Sequence, residues 1–185
     1  MLIYIHGFNS SSRSGKAREL QTWMAARGLA EAYACPDLSP RPREAIAQLE
    51  ALIHASRGPA KLIGSSLGGH YATWLAERHG LKAVLVNPCV ACHEKLAGEV
   101  GKVQKNWHDG SEYLFTATHL AELKALHVDR PTRPERYLLL VEKGDELLDW
   151  REAAAYYQGA VQHLLEGGDH GFTRFAEFIP AILAF

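Results

Sequence analysis

Two serines stand between glycines in Gly64-Ser65-Ser66-Leu67-Gly68, directly behind the apolar run Leu62-Ile63 and ahead of the helical pattern GGHYATWLAERHG. A serine hydroxyl is too weakly acidic to attack an acyl carbon alone. At the centre of a G-x-S-x-G bend between a strand and a helix, however, it projects from strained backbone at a helix N-terminus. Ser66 rather than Ser65 holds that centre, and the N–H of Leu67 is free there to stabilise a developing oxyanion. Gly64 and Gly68 keep strand and helix close. Read as structure only, the stretch is a phosphate-binding glycine turn or a plain strand-to-helix connection, but G-x-G-x-x-G and Walker patterns are absent.

A serine nucleophile needs a base and a group to orient it, and on this kind of turn they follow in the order Ser, Asp, His. The segment YLLLVEKGDELLDW puts Asp145 in a loop just after an apolar run. LLEGGDHGF puts His170 between glycines after the last such run. Of the ten histidines, His170 is therefore the candidate base; His70, one turn beyond Ser66, reads as packing or pocket, and His54, His79 and His163 as surface or element-end residues. Asp149 suits a helix N-cap, and Asp169 is too close to His170 in sequence to reach its ring easily. A merely solvated Asp145 is the alternative to an orienting one. A second oxyanion donor is expected from the loop after the first run, where His6-Gly7-Phe8 offers the N–H of Phe8, with His6 bonding within the loops.

The elements that must position these residues are legible as alternation. Short apolar runs at 2–6, 32–36, 60–64, 82–86, 137–141 and 160–165 are mostly separated by helical patterning. That rhythm predicts βα units and a largely parallel sheet covered on both faces, with ligands beyond the carboxyl ends of the strands. In PREAIAQLEALIHASRG, Ile46, Leu49 and Ile53 form one stripe with Leu52 between them, Pro42 suits the first turn and Gly58 a stop. Asp149 caps a helix over WREAAAYYQG, and Pro180 should break or kink the last helix. Residues 89–134 interrupt the rhythm, with no clear strand, and read as a helical excursion or lid over the same edge, where Trp107 and Phe115 could line an apolar slot or fasten the lid.

Together YIHGFNSSSRSGKA, GSSLGG, VNP at 86–88, GDELLD at 144–149 and EGGDHGF at 166–172 resemble the YqiA-like family of small bacterial esterases within the α/β-hydrolase superfamily. The resemblance spans nearly the whole chain. It implies a three-layer fold whose six-stranded, mostly parallel sheet runs 2-1-3-4-5-6 and lacks the first two strands of the full fold. It also implies a triad of Ser66, Asp145 and His170 hydrolysing carboxylic esters or acyl thioesters, possibly acyl-CoA, with no cofactor and no metal.

Composition narrows the rest. Twenty basic and twenty-one acidic residues in 185 nearly cancel, so no field draws the chain to nucleic acid or anionic lipid, and a small-molecule substrate is expected. The length suits a single domain, 1–185, with the insertion at about 89–134. The five-residue apolar run of MLIYIHG is neither signal peptide nor membrane span, which with an odd count of three cysteines predicts a cytoplasmic home. Cys89, Cys92 and His93 formally match the haem motif C-x-x-C-H, and C-x-x-C also suits a dithiol or zinc half-site. The simpler expectation is two thiols near the pocket rim, sensitive to oxidation. A peptidase or lactonase with the same triad, a non-catalytic hydrolase-like binding module and a dithiol redox protein are the rival functions.

Overall fold

The computed structural model describes all residues, 1–185. Its main sheet joins β1 (Leu2–Ile5), β2 (Tyr33–Ala34), β3 (Lys61–Ser65), β4 (Lys82–Val86), β7 (Tyr137–Glu142) and β8 (Val161–Leu165). Their spatial order is β2-β1-β3-β4-β7-β8, and every pairing is parallel. Counting only these strands, this is the expected order 2-1-3-4-5-6, and the fold is that of an α/β-hydrolase.

Strand side chains alternate between faces, so each apolar strand serves two cores. Ile3, Ile5, Leu62, Leu85 and Leu139 meet α2 (Pro42–Ala55), α3 (Leu67–His79) and α6 (Trp150–Tyr156). Leu2, Tyr4, Ile63, Val84 and Leu138 meet α1 (Gly15–Ala25) and α7 (Phe175–Ala184) on the other face. In α2 the stripe predicted from spacing buries Ile46 and Leu49. The helix starts at Pro42 but ends at Ala55, before Gly58. No helix is long and apolar enough to cross a membrane.

Two expectations are corrected here. Pro180 does not break α7, which continues to Ala184: proline removes one donor, while Ile179 and Ile182 on either side are buried against the sheet. The excursion between β4 and β7 is not purely helical. Besides α4 (Cys92–Lys95) and α5 (Ala117–Ala125) it contains an antiparallel hairpin of β5 (Val103–Lys105) and β6 (Glu112–Leu114). These strands are three residues long and largely exposed, so no apolar run announces them. Distant polar contacts hold the hairpin instead: Asn9 Nδ2 donates to Gln104 at 3.0 Å, Tyr113 donates its hydroxyl to Asn9 at 2.8 Å, and the Trp107 N–H reaches the Asn9 carbonyl at 2.9 Å.

Candidate active site

β3 ends at Ser65, and the chain turns through Ser66 into α3 with φ 54° and ψ −120°. A non-glycine residue with positive φ is strained, and it persists only where the surroundings hold it. Here the Ser66 N–H donates to the Val86 carbonyl at 3.1 Å, and the Ser66 carbonyl accepts from Cys89 N–H at 3.0 Å. The flanking glycines permit the bend sterically. A Cβ on Gly64 would lie 2.3 Å from the Gly68 carbonyl oxygen, and one on Gly68 would lie 2.0 Å from that of Ile5.

The loop after β1 lies alongside. A Cβ on Gly7 would come within 3.3 Å of the Ser66 Cβ. The Phe8 N–H donates to no protein acceptor, and Leu67, the first residue of α3, has no preceding helical turn to bond. Both residues line one cavity. His6 is buried and spans the loops: its Nε2 accepts from Leu38 N–H at 3.2 Å, so Nδ1 carries the proton toward the Gly7 carbonyl at 3.0 Å. Burial lowers its pKa, which keeps the ring neutral as that pattern requires.

Asp145 follows β7 and His170 follows β8, and the two meet. His170 Nδ1 lies 2.8 Å and 3.0 Å from the two Asp145 carboxylate oxygens. A carboxylate only accepts, so Nδ1 donates to it, and in the neutral ring that leaves the lone pair on Nε2. Asp145 Oδ1 also accepts the N–H groups of Leu147 and Leu148, each at 2.9 Å, which fixes the carboxylate on its own loop. Ser66 Oγ makes no cap bond and is not joined to His170 by a hydrogen bond; in unliganded enzymes such contacts commonly tighten only with substrate. Asp149 is the N-cap of α6, accepting from Arg151 N–H at 2.9 Å.

Sequence reasoning missed the residues that hold the His170 loop. Glu142, the last residue of β7, is wholly buried, and its carboxylate accepts from the backbone N–H groups of Asp169 (3.0 Å), Thr173 (2.9 Å) and Arg174 (3.2 Å). The Thr173 hydroxyl and the Arg174 guanidinium add bonds of 3.0 Å each. Burial alone would raise the pKa of this carboxyl; the hydrogen bonds from Thr173, Arg174 and Asp169 outweigh it and lower the pKa. Asn87 Nδ2 donates to the Asp169 carbonyl at 2.9 Å and to that of His170 at 3.2 Å. The available signal was a charged residue closing an otherwise apolar strand.

The cysteines depart from expectation. Cys89 and Cys92 are buried at 5% and 1% exposure in the core, not at a pocket rim. Burial drives the Cys92 thiol well above its ordinary pKa, so it is a poor thiolate source. His70 is likewise a packing residue, bonded to the Leu123 carbonyl at 3.0 Å. Phe115 is buried against Phe8 and Trp107 is 75% exposed, so neither lines the cavity.

The sequence model described as "Uncharacterised protein family (UPF0227)" matches residues 1–185. A UPF0227 protein of Pectobacterium carotovorum is 27% identical over 165 residues, covering 85% of this chain and 84% of the relative. Among solved structures, alpha/beta hydrolase domain-containing protein 10 from mouse superposes with a TM-score of 0.72 at 16% identity, over 99% of this chain and 88% of that one. A monoacylglycerol lipase of Paleococcus ferrophilus gives 0.69 at 16%, over 99% and 92%.

Proposed function

We propose that this chain, which belongs to the UPF0227 family, is a serine hydrolase that cleaves carboxylic esters or acyl thioesters through an acyl-enzyme. The observation that carries the reading is the 2.8 Å contact of His170 Nδ1 with Asp145 on the same sheet edge as a serine held at φ 54°. His170 Nε2 takes the proton of Ser66 Oγ as that oxygen bonds to the acyl carbon, and Asp145 holds the imidazole and stabilises its cation. The N–H groups of Phe8 and Leu67 receive the oxyanion. The C–O or C–S bond then breaks, His170 protonates the leaving group, and water activated by the same ring releases the acid and regenerates Ser66. Each step uses side chains or backbone of this chain alone. The fold shared with a lipase and the absence of a second role for the strained Ser66 support this reading. Three free cysteines support a reducing, cytoplasmic setting.

The test pairs wild type with Ser66→Ala on p-nitrophenyl acetate, acyl-CoA and a fluorophosphonate probe. Hydrolysis and labelling in wild type, both lost in the variant, are expected, with kcat down by roughly 10⁴-fold or more. Equal turnover by the two proteins would remove Ser66 from the chemistry.

A further inference from the structure

The cavity beside the oxyanion donors is unlike a fatty-acyl slot. It encloses about 140 Å³, and only five of its sixteen lining residues are hydrophobic, whereas sites for drug-sized apolar ligands run to roughly 300–1,000 Å³. Its place identifies which part of a substrate it can receive. Phe8 and Leu67 line it, but Ser66, Asp145 and His170 do not. In the tetrahedral intermediate the leaving group must lie against His170, which protonates it. The substituent directed away from His170, past the oxyanion donors, is the acyl chain. We infer that this cavity is the acyl subsite and that it selects short acyl groups bearing hydroxyls, rather than long alkyl chains; the inference rests on the hydrolase reading above.

The walls supply the acceptors such a group needs. Asp37 spends Oδ1 on the Ser12 N–H at 2.7 Å, and Asp109 spends Oδ1 on the Ser111 N–H at 2.8 Å and hydroxyl at 2.7 Å. One oxygen of each carboxylate is left over. Both are ionised at neutral pH, Asp37 lowered mainly by the Ser12 N–H and Asp109 mainly by the Ser111 hydroxyl. The nearby Arg13 charge acts on both and offsets part of their field. The field that remains is negative and repels an anionic chain, while a neutral hydroxyl can donate to either free carboxylate oxygen. Most of the remaining polar wall is already committed internally: Asn106 donates to the Ser10 carbonyl at 2.9 Å, and Tyr113 to Asn9 at 2.8 Å, while the Tyr71 hydroxyl bonds to no protein group and is open to a substrate hydroxyl. An alkyl chain would thus displace water from polar walls without the roughly fourfold gain per methylene that an apolar pocket gives.

The experiment holds the leaving group fixed and varies the acyl group, using p-nitrophenyl butyrate, 3-hydroxybutyrate and octanoate. The expected kcat/KM for 3-hydroxybutyrate is about tenfold above butyrate, with octanoate no better than butyrate. In Asp37→Asn/Asp109→Asn, which keeps an oxygen for each internal bond, that ratio falls toward one. Octanoate above butyrate, or a wild-type ratio under threefold, overturns the inference and leaves the hydrolase reading standing. Failure to turn over any of the three also overturns it, and fluorophosphonate labelling of Ser66 then decides separately whether the hydrolase reading survives.

Discussion

Replacing Glu142 tests whether the His170 loop is positioned by a buried carboxylate. In Glu142→Ala, three backbone N–H groups (Asp169, Thr173, Arg174) lose their acceptor. The Arg174 side chain, 32% exposed, turns partly to water, so the uncompensated charge is softened while the buried N–H groups are not. Loss of one partner from such a network costs about 3–5 kcal/mol, a large share of the roughly 5–15 kcal/mol total of a folded domain. Glu142→Gln keeps one accepting oxygen, but either orientation of its amide turns an NH2 toward N–H donors, so about half the loss is expected. If the loop drifts by about 1 Å, kcat falls by roughly a hundredfold. Urea unfolding and p-nitrophenyl acetate turnover measure the two effects. Because the folded-state pKa of Glu142 is depressed, its contribution is complete above the ordinary unfolded value of about 4.3 and disappears as pH falls below that through the folded value. Wild type should therefore lose stability more steeply on acidification than Glu142→Gln. An alanine variant as stable as wild type refutes the clamp; one that is less stable yet keeps full kcat refutes its positioning role.

Two further outcomes follow from sterics and burial. Gly68→Ala should prevent folding, since its Cβ would meet the Ile5 carbonyl at 2.0 Å, whereas Gly15→Ala, with nothing within 4 Å at the start of α1, should fold and stabilise by up to about 1 kcal/mol; soluble yield and thermal melting separate them. Cys89 and Cys92 should resist an aromatic disulfide reagent in the native protein and react once it is unfolded, and Cys35, whose thiol burial pushes up to about 12, should be slow as well. Rapid native labelling of Cys92 would contradict its place in the core.

The sheet and the turn at Ser66 were legible because their causes are local. Apolar runs of five or six residues specify the strands, the second of them yielding only the two-residue β2, and the glycines at 64 and 68 are demanded by contacts of the turn with itself and with β1. Asp145 and His170 could be nominated because loops after strands share one edge of a parallel sheet. What could not be read depends on partners far away in the chain. Val103–Lys105 and Glu112–Leu114 form strands because Asn9 and its neighbours bind the hairpin. Cys89 and Cys92 sit in the core because the excursion folds back over them, which their spacing does not encode. Glu142 closes an apolar strand and acquires its meaning only from Asp169, Thr173 and Arg174, the nearest of them 27 positions on.

The turn after β4 joins the two halves of the candidate site. Val86 anchors the Ser66 N–H through its carbonyl, and Cys89 holds the Ser66 carbonyl through its N–H. Between them Asn87, itself at φ 40°, spans to the other half: its Oδ1 accepts from Glu142 N–H at 3.0 Å while Nδ2 holds the Asp169 and His170 carbonyls. Pro88 lies against α3, where a Cβ on Gly69 would approach its own Cβ to 2.5 Å. Residues 86–89 thus fix the backbone of the candidate nucleophile from one side and that of the candidate base from the other. The strained backbone at Asn87 lies between the two residues that bond Ser66, and its own N–H donates to the Leu140 carbonyl of β7 at 2.9 Å, so the two turns are tied to the same short segment. Val86, Asn87 and Pro88 carry no reactive group; what they contribute is the relative position of Ser66 and His170.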